Sequence, residues 1–298
     1  MGWRQKKWTE QEIARRVRQL MGAGEHENYK SWLDFRDFSS KGTTSRSYFP
    51  ELDRIVLCFS NLELASALHA VSRKHFFDLK DQFPLNRDLT RTIARDLGVR
   101  HPRYRGTRIE CVMTIDLLVT QANGADTWNE VYDCKWSNAA ARTRHMEIQA
   151  IVKAYCATEG WKHFAITEET FPKNTMMNME WMRMAMPRIG ELEPFAGAFD
   201  IWPTRMYLAL KDEHIRSART KVHEFCAAFE KTNGLPLAFG IRLMKQLMNY
   251  RLVKFPMTVR RPSFLELSEL SLVDAPSYAS DLMASPNSVE GHFDVSPA

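Results

Sequence analysis

The sequence lacks any uninterrupted apolar run close to the roughly 20 residues that a helix needs to cross a bilayer. Its first residues, Met-Gly-Trp-Arg-Gln-Lys-Lys-Trp, are basic and lead into a charged segment with no apolar signal core. The composition is that of a globular protein, with 44% hydrophobic and 26% charged residues among 298. We therefore expect a cytoplasmic protein with no membrane partner, long enough for two domains.

Cysteines are few, and their spacing follows no pairing pattern. There are five, an odd number, and no two form a Cys-x-x-Cys motif. This argues against a disulfide framework and against a structural zinc site, so each is interpreted as a small buried apolar side chain. The five are Cys58, Cys111, Cys134, Cys156 and Cys226.

Positive charge is absent from the C-terminal end of the chain. No lysine or arginine follows Arg261, and residues 274–298 are rich in Ser, Pro and Ala and carry four acids. We predict a disordered acidic tail over 274–298, because this segment has too little apolar surface to bury. Without those four acids the formal charge rises from +5 to +9. A basic body suits a polyanionic partner, although many proteins of this charge bind no nucleic acid.

Hydrophobic patterning over residues 1–172 predicts an α/β domain with a basic helical segment at its start. Thr9 followed by Glu12 is typical of a helix N-terminus, and Asn123-Gly124 is a strong hairpin signal. Helices and strands alternate irregularly, which predicts a mixed sheet flanked by helices. The predicted elements are helix 9–21, strand 54–59, helix 61–72, strand 76–79, helix 89–97, strands 109–120 and 128–136, helix 139–158 and strand 163–167.

Residues 173–273 predict a second, mainly helical domain. Two helices are expected, near 203–230 and 235–250, followed by strands at 251–255 and 263–267 that flank a basic tip. Two helices and then a hairpin with a basic tip is the element order of a winged-helix module. The second domain is therefore predicted to be winged-helix-like.

Charged residues in two strand-like runs point to a catalytic site. Asp116 interrupts the apolar run Cys-Val-Met-Thr-Ile-Asp-Leu-Leu-Val-Thr, and Asp133 and Lys135 lie in the next run. Because side chains two apart on a strand share a face, Asp133 and Lys135 point into one pocket while Cys134 faces the other side. Buried charges of this kind cost several kcal/mol each unless they are paired or bind a cation. An acid on one strand and acid-x-lysine on the next is typical of restriction-type nucleases.

Glu63 has two interpretations. Ser60-Asn61-Leu62-Glu63 fits a capping box, in which Glu63 would only hydrogen-bond back to the helix start. Alternatively, the helix packs on the acid-bearing strands and Glu63 faces them. In that case Glu63, Asp116 and Asp133 converge with Lys135.

Three converging carboxylates repel one another, and a divalent cation relieves that repulsion. We predict metal ligation by Glu63, Asp116 and Asp133 and catalysis by these three together with Lys135. An all-oxygen ligand set selects hard cations, so Mg²⁺ is expected, with Mn²⁺ as a substitute and one or two ions bound. Lys135 would orient the attacking water and offset charge on the transition state.

Several basic residues are candidate DNA contacts. Two lie in the polar loop 39–47, one precedes the first acid-bearing strand, and three lie near the predicted wing. A solvated loop or a loop salt bridge is the alternative for each of the first three. The candidates are Lys41, Arg46, Arg105, Lys254, Arg260 and Arg261.

A set of short motifs occurs in a fixed order along the first domain. The motifs are Ser60-Asn61-Leu62-Glu63-Leu64-Ala65, Asp81-Gln82-Phe83-Pro84-Leu85, His101-Pro102 with Arg105-Gly106, Met113-Thr114-Ile115-Asp116-Leu117-Leu118-Val119, and Asp133-x-Lys135. Together they resemble TnsA, the endonuclease subunit of the heteromeric transposases of Tn7-like elements, over roughly residues 9–170 and only loosely beyond them. The resemblance implies a Mg²⁺-dependent restriction-fold nuclease that cuts the 5′ ends of a transposon in double-stranded DNA. It also implies two partners, a DDE-type transposase (TnsB-like) and an ATP-dependent regulator (TnsC-like).

The resemblance places the family's glutamate on Glu63, its aspartate on Asp116 and its lysine on Lys135. Two residues before that lysine the family often has glutamine, where this chain has Asp133, which adds a carboxylate. Two other functions remain open. One is a stand-alone restriction or repair nuclease, and the other is a non-catalytic protein that binds and bridges DNA.

Overall fold

The computed structural model describes residues 8–37, 43–137, 143–185, 198–216 and 219–273. They form two compact units. The first comprises the described residues up to Phe171, except for Ser72–Lys74, which group with the described residues from Pro172 onward in the second unit. The predicted acidic tail, residues 274–298, lies outside the described residues.

A four-stranded mixed sheet forms the centre of the first unit. Its strands lie in the order β3-β4-β5-β6, with antiparallel pairing except between β5 and β6, which are parallel. The predicted α/β class with a mixed sheet is therefore confirmed. A separate antiparallel pair, β1 and β2, precedes it. The strands are β1 (Ser45–Phe49), β2 (Arg54–Cys58), β3 (Phe76–Pro84), β4 (Thr114–Asn123), β5 (Asp126–Cys134) and β6 (Lys162–Ile166).

Local signals explain where these elements begin and end. Thr9 Oγ1 accepts a hydrogen bond from Glu12 N at 3.1 Å and caps the first helix, as the sequence indicates. Gly124 adopts φ +62° in the turn between β4 and β5, a conformation that favours glycine. The helices are α1 (Glu10–Arg18), α2 (Asn61–Val71), α3 (Arg87–Asp96) and α4 (Thr143–Glu159).

Helices cover both faces of the sheet. On one face, Leu118 and Val131 share a buried cluster with Ile151 and Val152 of α4 and with Ile93 of α3. On the other face, Ser66 of α2 reaches Cys134 with Oγ and Sγ 3.3 Å apart. The strand alternation thus sends Cys134 toward α2 and leaves its neighbours Asp133 and Lys135 for the face of α4.

The second unit is mainly helical and differs from its prediction in two places. The single helix expected at 203–230 is two helices, separated at Lys221, whose extended backbone (φ −80°, ψ 151°) begins the second of them. The strand expected at 263–267 is wrong, because short-range hydrogen bonds such as Leu265 N to Pro262 O close 3₁₀ turns there. The elements are α5 (Lys173–Arg183), α6 (Ala198–Arg216), α7 (Val222–Asn233), α8 (Phe239–Asn249), β7 (Val253–Lys254) and β8 (Ser271–Leu272).

The strand after α8 pairs with a later segment than predicted, since β7 joins β8 at Ser271–Leu272. Winged-helix character therefore stays a prediction for this unit. Among the described residues, no helix combines the length and apolarity required to cross a membrane.

Candidate active site

The register of the central sheet brings Asp116 and Asp133 together. Leu117 of β4 pairs with Tyr132 of β5, so the next position along places Asp116 opposite Asp133. Residues directly opposite each other on antiparallel strands project from the same face. The backbone N–H of Cys134 donates to Asp116 Oδ2 at 2.8 Å, which fixes the carboxylate at the end of the two strands.

The surroundings of Asp116 disfavour a negative charge on its carboxyl. Burial raises the pKa of this carboxyl well above its usual range, and the charges of Glu63 and Asp133 raise it further. Lys135 and the Cys134 N–H act in the opposite direction but do not outweigh those effects. The mutual influence of the four groups shows that the predicted residues lie in one electrostatic neighbourhood.

Glu63 hydrogen-bonds at the start of α2, and its charge also acts on Asp116. Its backbone N–H donates to Ser60 Oγ at 3.1 Å, while its carboxylate accepts from Ser60 Oγ at 2.9 Å and from Phe59 N at 2.8 Å. The capping interpretation is thus correct as far as these bonds go. Burial raises the pKa of Glu63, and the Lys135 charge lowers it in part. Hydrogen bonding at the helix start is therefore observed, and the convergence of Glu63 with Asp116 and Asp133 stays a prediction.

Gln82 links Glu63 to the sheet. In the pairing of β3 with β4 it lies between Asp81, opposite Leu117, and Phe83, opposite Ile115, which places it beside Asp116. Its Nε2 lies 3.3 Å from Glu63 Oε2, and its φ of +49° is unusual for a residue other than glycine. Gln82 belongs to one of the motifs that resemble TnsA, but the sequence alone did not indicate its contact with Glu63.

Asp133 differs from Asp116 in having close polar partners. Gln149 Nε2 donates to Asp133 Oδ2, and His163 Nε2 lies 3.8 Å from the same oxygen. Burial raises the pKa of Asp133, but these two contacts and the Lys135 charge together hold it below its usual value. Two neighbouring carboxyls therefore have pKa values moved in opposite directions, a pattern common at catalytic sites.

Lys135 is the positive member of the set. Its backbone N–H donates to Ile166 O at 2.8 Å and continues the pairing of β5 with β6. The side chain is exposed, and it forms no ion pair with any residue that the structure describes. Its charge nevertheless lowers the pKa of Glu63, Asp116 and Asp133. An exposed ammonium group without an ion pair among the described residues is of the type that binds anions.

The donor chemistry of these acids fits a hard cation. Asp116 Oδ1 has no hydrogen bond to the described part of the chain, and carboxylate oxygens are the ligands that Mg²⁺ prefers. Across the described residues, however, no three His, Cys, Asp or Glu side chains are already grouped as a metal-binding set. Ligation by Glu63, Asp116 and Asp133 together therefore stays a prediction.

The candidate DNA contacts fall into separate places. Lys41 lies outside the described residues. Arg46 and Arg105 are exposed in the first unit, where the Arg46 guanidinium lies 5.6 Å from the centre of the Phe35 ring. The candidates of the second unit, also exposed, are Lys254, Arg260 and Arg261.

Residues of α4 complete the surroundings of Asp133, and the sequence interpretation did not include them. Glu147, the acid of α4 nearest in sequence to these residues, pairs with Arg144 at 2.5 Å. The residues on the site side are His145, Gln149 and Lys153, which line a pocket with Asp133 and Lys135. Their spacing of four, directly after the acid-x-lysine strand, is the signal that would have found them.

Comparison with known proteins gives one informative similarity. The chain is 30% identical over 175 residues to the Transposon Tn7 transposition protein TnsA of Escherichia coli. The chain resembles TnsA. The alignment takes in 59% of this chain and 63% of TnsA, so it spans less than two thirds of that relative. The resemblance to TnsA that the motifs indicated is confirmed by this match. No family model matches the chain.

Proposed function

We propose that this chain is a Mg²⁺-dependent DNA endonuclease with a restriction-endonuclease-like core that cuts the 5′ ends of a transposon. The observation that carries the proposal is the shared neighbourhood of Asp116, Asp133, Glu63 and Lys135, in a chain similar to a transposition protein. A buried carboxyl whose pKa is raised by other acids is a site that gains from cation binding. The mixed sheet with helices on both faces supports the fold assignment.

Each residue has a distinct role in the proposed reaction. Asp116, with a free Oδ1, would be the principal ligand of the cation, and Asp133 and Glu63 would complete the oxygen ligands. When bound, the cation would polarise the scissile phosphate and lower the pKa of a water ligand. Lys135 would hold a non-bridging phosphate oxygen and the attacking water. Gln149 and Gln82 would position Asp133 and Glu63.

The proposed setting is a transposition complex. TnsA is by its name a Tn7 transposition protein, and this chain is 30% identical to it over 175 residues. We propose a DDE transposase as the partner that processes the other DNA strand and an ATP-dependent regulator as a second partner. Cleavage of the 5′ strand would then depend on assembly at a transposon end.

The test is cleavage of a transposon-end duplex by the assembled complex with Mg²⁺. Lys135→Ala and Asp133→Ala should each reduce 5′-strand cleavage, on the order of 10²–10⁴-fold for a positioned catalytic group. Glu147→Gln is the matched control, since Glu147 is an acid of α4 that pairs with Arg144. Intact cleavage in Lys135→Ala and Asp133→Ala, at wild-type folding, would overturn the proposal. Cleavage of plain duplex by the isolated protein would favour a stand-alone nuclease instead.

A non-catalytic DNA-bridging role is the second candidate. The second unit keeps the order of helices α7 and α8 followed by the β7–β8 hairpin, and Lys254, Arg260 and Arg261 are exposed on it. That order supports winged-helix-like DNA binding. Wild-type protein that joins an active complex, in which the partner cuts its own strand but the 5′ strand stays uncut at every divalent cation tested, would favour this role.

A further inference from the structure

A pocket beside the acids is walled by one side of α4. It is a cavity of about 310 Å³ bounded by α4 and by the ends of β5 and β6. The side chains that matter for its chemistry are those of Asp133, Lys135, His145, Gln149, Lys153 and Thr167. It opens next to the carboxylates but extends beyond them along the helix.

The spacing of its helical residues places three polar side chains in a stripe along one side of the pocket, whose lining also includes the apolar Met146, Ala150, Ala165 and Ile166. His145, Gln149 and Lys153 are four residues apart, so they lie one above the other on the same side of α4. The hydrogen bond from Gln149 Nε2 to Asp133 Oδ2 turns that side toward the sheet. The Lys135 charge reaches His145 and lowers its pKa, which places these two at the same end of the stripe.

The charges of the pocket favour an anion. Lys135 and Lys153 are both exposed and form no ion pair within the described ranges, while the one lining acid, Asp133, is engaged by Gln149 and His163. Burial, more than the Lys135 charge, lowers the pKa of His145, so its ring is a neutral hydrogen-bond donor near neutral pH. Two unpaired ammonium groups and an imidazole N–H in a concave site are suited to a phosphate group.

We propose that Lys153 binds a backbone phosphate that flanks the scissile phosphate on the same DNA strand. Lys153 lies four residues beyond Gln149, about 6 Å along α4, on the side away from His145. A phosphate held by Lys153 would therefore be a neighbour of the one at Asp133 and not the reacting phosphate itself. This inference rests on the proposed function, because it assumes a DNA strand at the acids.

The experiment combines single methylphosphonates with a change of Lys153. Each phosphate around the cleavage site is neutralised in turn, and binding and 5′-strand cleavage are measured for wild type, Lys153→Met and Lys153→Arg in the full complex. One flanking position should weaken wild-type binding on the order of tenfold, as expected for a lost charge-assisted contact. In Lys153→Met the same position should have no further effect, and Lys153→Arg should restore the wild-type pattern. The salt dependence of binding should also fall by about one phosphate contact in Lys153→Met.

Controls separate this inference from the proposed function. Lys162→Met removes an exposed lysine that lies 5.7 Å from the Trp128 ring and outside the pocket, and it should keep full sensitivity at the flanking phosphate. Binding is repeated in Asp116→Asn, which is expected not to cleave. If Lys153→Met and one methylphosphonate weaken binding non-additively but the wild type does not cleave, the nuclease proposal is wrong and the phosphate subsite is supported. If cleavage is normal but the effects of Lys153→Met and of each methylphosphonate on binding are additive, only the subsite inference is wrong. Lys153→Gln is a second neutral substitution, and its thermal unfolding should match that of the wild type. It should give the same binding pattern as Lys153→Met, which excludes a defect specific to methionine.

Discussion

Two carboxylates on neighbouring strands of the same sheet, Asp81 and Asp116, differ in how their charge is treated. Asp81 of β3 is fully buried, and its Oδ1 accepts from Arg54 Nη1 at 2.6 Å. Its Oδ2 accepts from Ser31 Oγ and, at 3.1 Å, from Leu57 N. The ion pair with Arg54 and these hydrogen bonds therefore compensate the charge of Asp81 within the protein.

Asp116 of β4 has one hydrogen bond, from Cys134 N, and no ion pair among the residues described. Its neighbours Glu63 and Asp133 are acids, and they add to the effect of burial in raising its pKa. A buried acid paired with an arginine has its charge compensated inside the protein, whereas an acid surrounded by acids has a raised pKa that a bound cation would lower. The comparison supports Asp81 as a structural carboxylate and Asp116 as the candidate for a functional one.

The largest expected effect is on catalysis. Asp116→Asn should reduce 5′-strand cleavage on the order of 10²–10⁴-fold, because the amide cannot replace the charge that holds a cation. The free energy of unfolding without metal should stay equal or rise, since the change removes a repelled charge. Cleavage rates and urea unfolding of the same preparations measure both effects. A destabilised Asp116→Asn with normal activity would reverse the assignment of the two acids.

Asp81→Ala should show the opposite profile. It leaves Arg54 buried without its partner, which typically costs about 3–5 kcal/mol of unfolding free energy. The double variant Asp81→Leu with Arg54→Met should recover much of that loss, because no buried charge remains. Urea unfolding measures the three proteins. If Asp81→Ala unfolds at the wild-type denaturant concentration, then pairing is not what distinguishes the two sites.

Cation binding sharpens the comparison further. Mg²⁺ should raise the thermal midpoint of the wild type, because it binds the folded site and relieves repulsion at Asp116, with about 2.7 kcal/mol expected at a hundredfold excess over Kd. Asp116→Asn should lose this stabilisation, and the Asp81→Leu, Arg54→Met double variant should keep it. Calorimetric scans with Mg²⁺ and with chelator give the difference. Equal shifts in wild type and Asp116→Asn would place any cation elsewhere.

The sequence pointed to the acids and the lysine of the candidate site, but it did not indicate which residues surround them. Asp116 and the Asp133-x-Lys135 pattern were visible because strand alternation fixes which side chains share a face. Gln149 and His163 were not, since their contacts to Asp133 depend on how α4 and β6 pack on β5. The motif Asp81-Gln82 was noted only as a resemblance, and the pairing of Asp81 with Arg54 needed coordinates.

In the second unit, the local sequence pattern was not sufficient to predict the short strands. The strand expected at 263–267 has alternating apolar residues, yet Pro262 begins a 3₁₀ turn there and β8 forms later, at Ser271–Leu272. Short strands draw little stability from their own sequence, so pairing partners decide them. Among the long strands of the central sheet, β4 and β5 were predicted with displaced bounds, and β3 was predicted only over its first four residues, 76–79.

The smallest expected effect concerns a third kind of buried ionisable group, one that has only neutral partners. His101 is buried, with Nε2 3.0 Å from Thr90 Oγ1 and Nδ1 3.0 Å from Pro102 O, and burial lowers its pKa below 6.5. Because the unfolded chain takes up this proton first, the contribution of His101 to stability is present above pH 6.5 and is lost as pH falls toward the lowered pKa. The extra slope is at most about 1.4 kcal/mol per pH unit. His101→Gln should unfold with a flatter dependence below pH 6.5, measured by urea titrations across pH 5–8. Identical slopes in wild type and His101→Gln would mean that the folded chain protonates His101 as readily as the unfolded chain does. A charged partner, such as Arg54 at Asp81, would then be unnecessary for holding a titratable group in this fold.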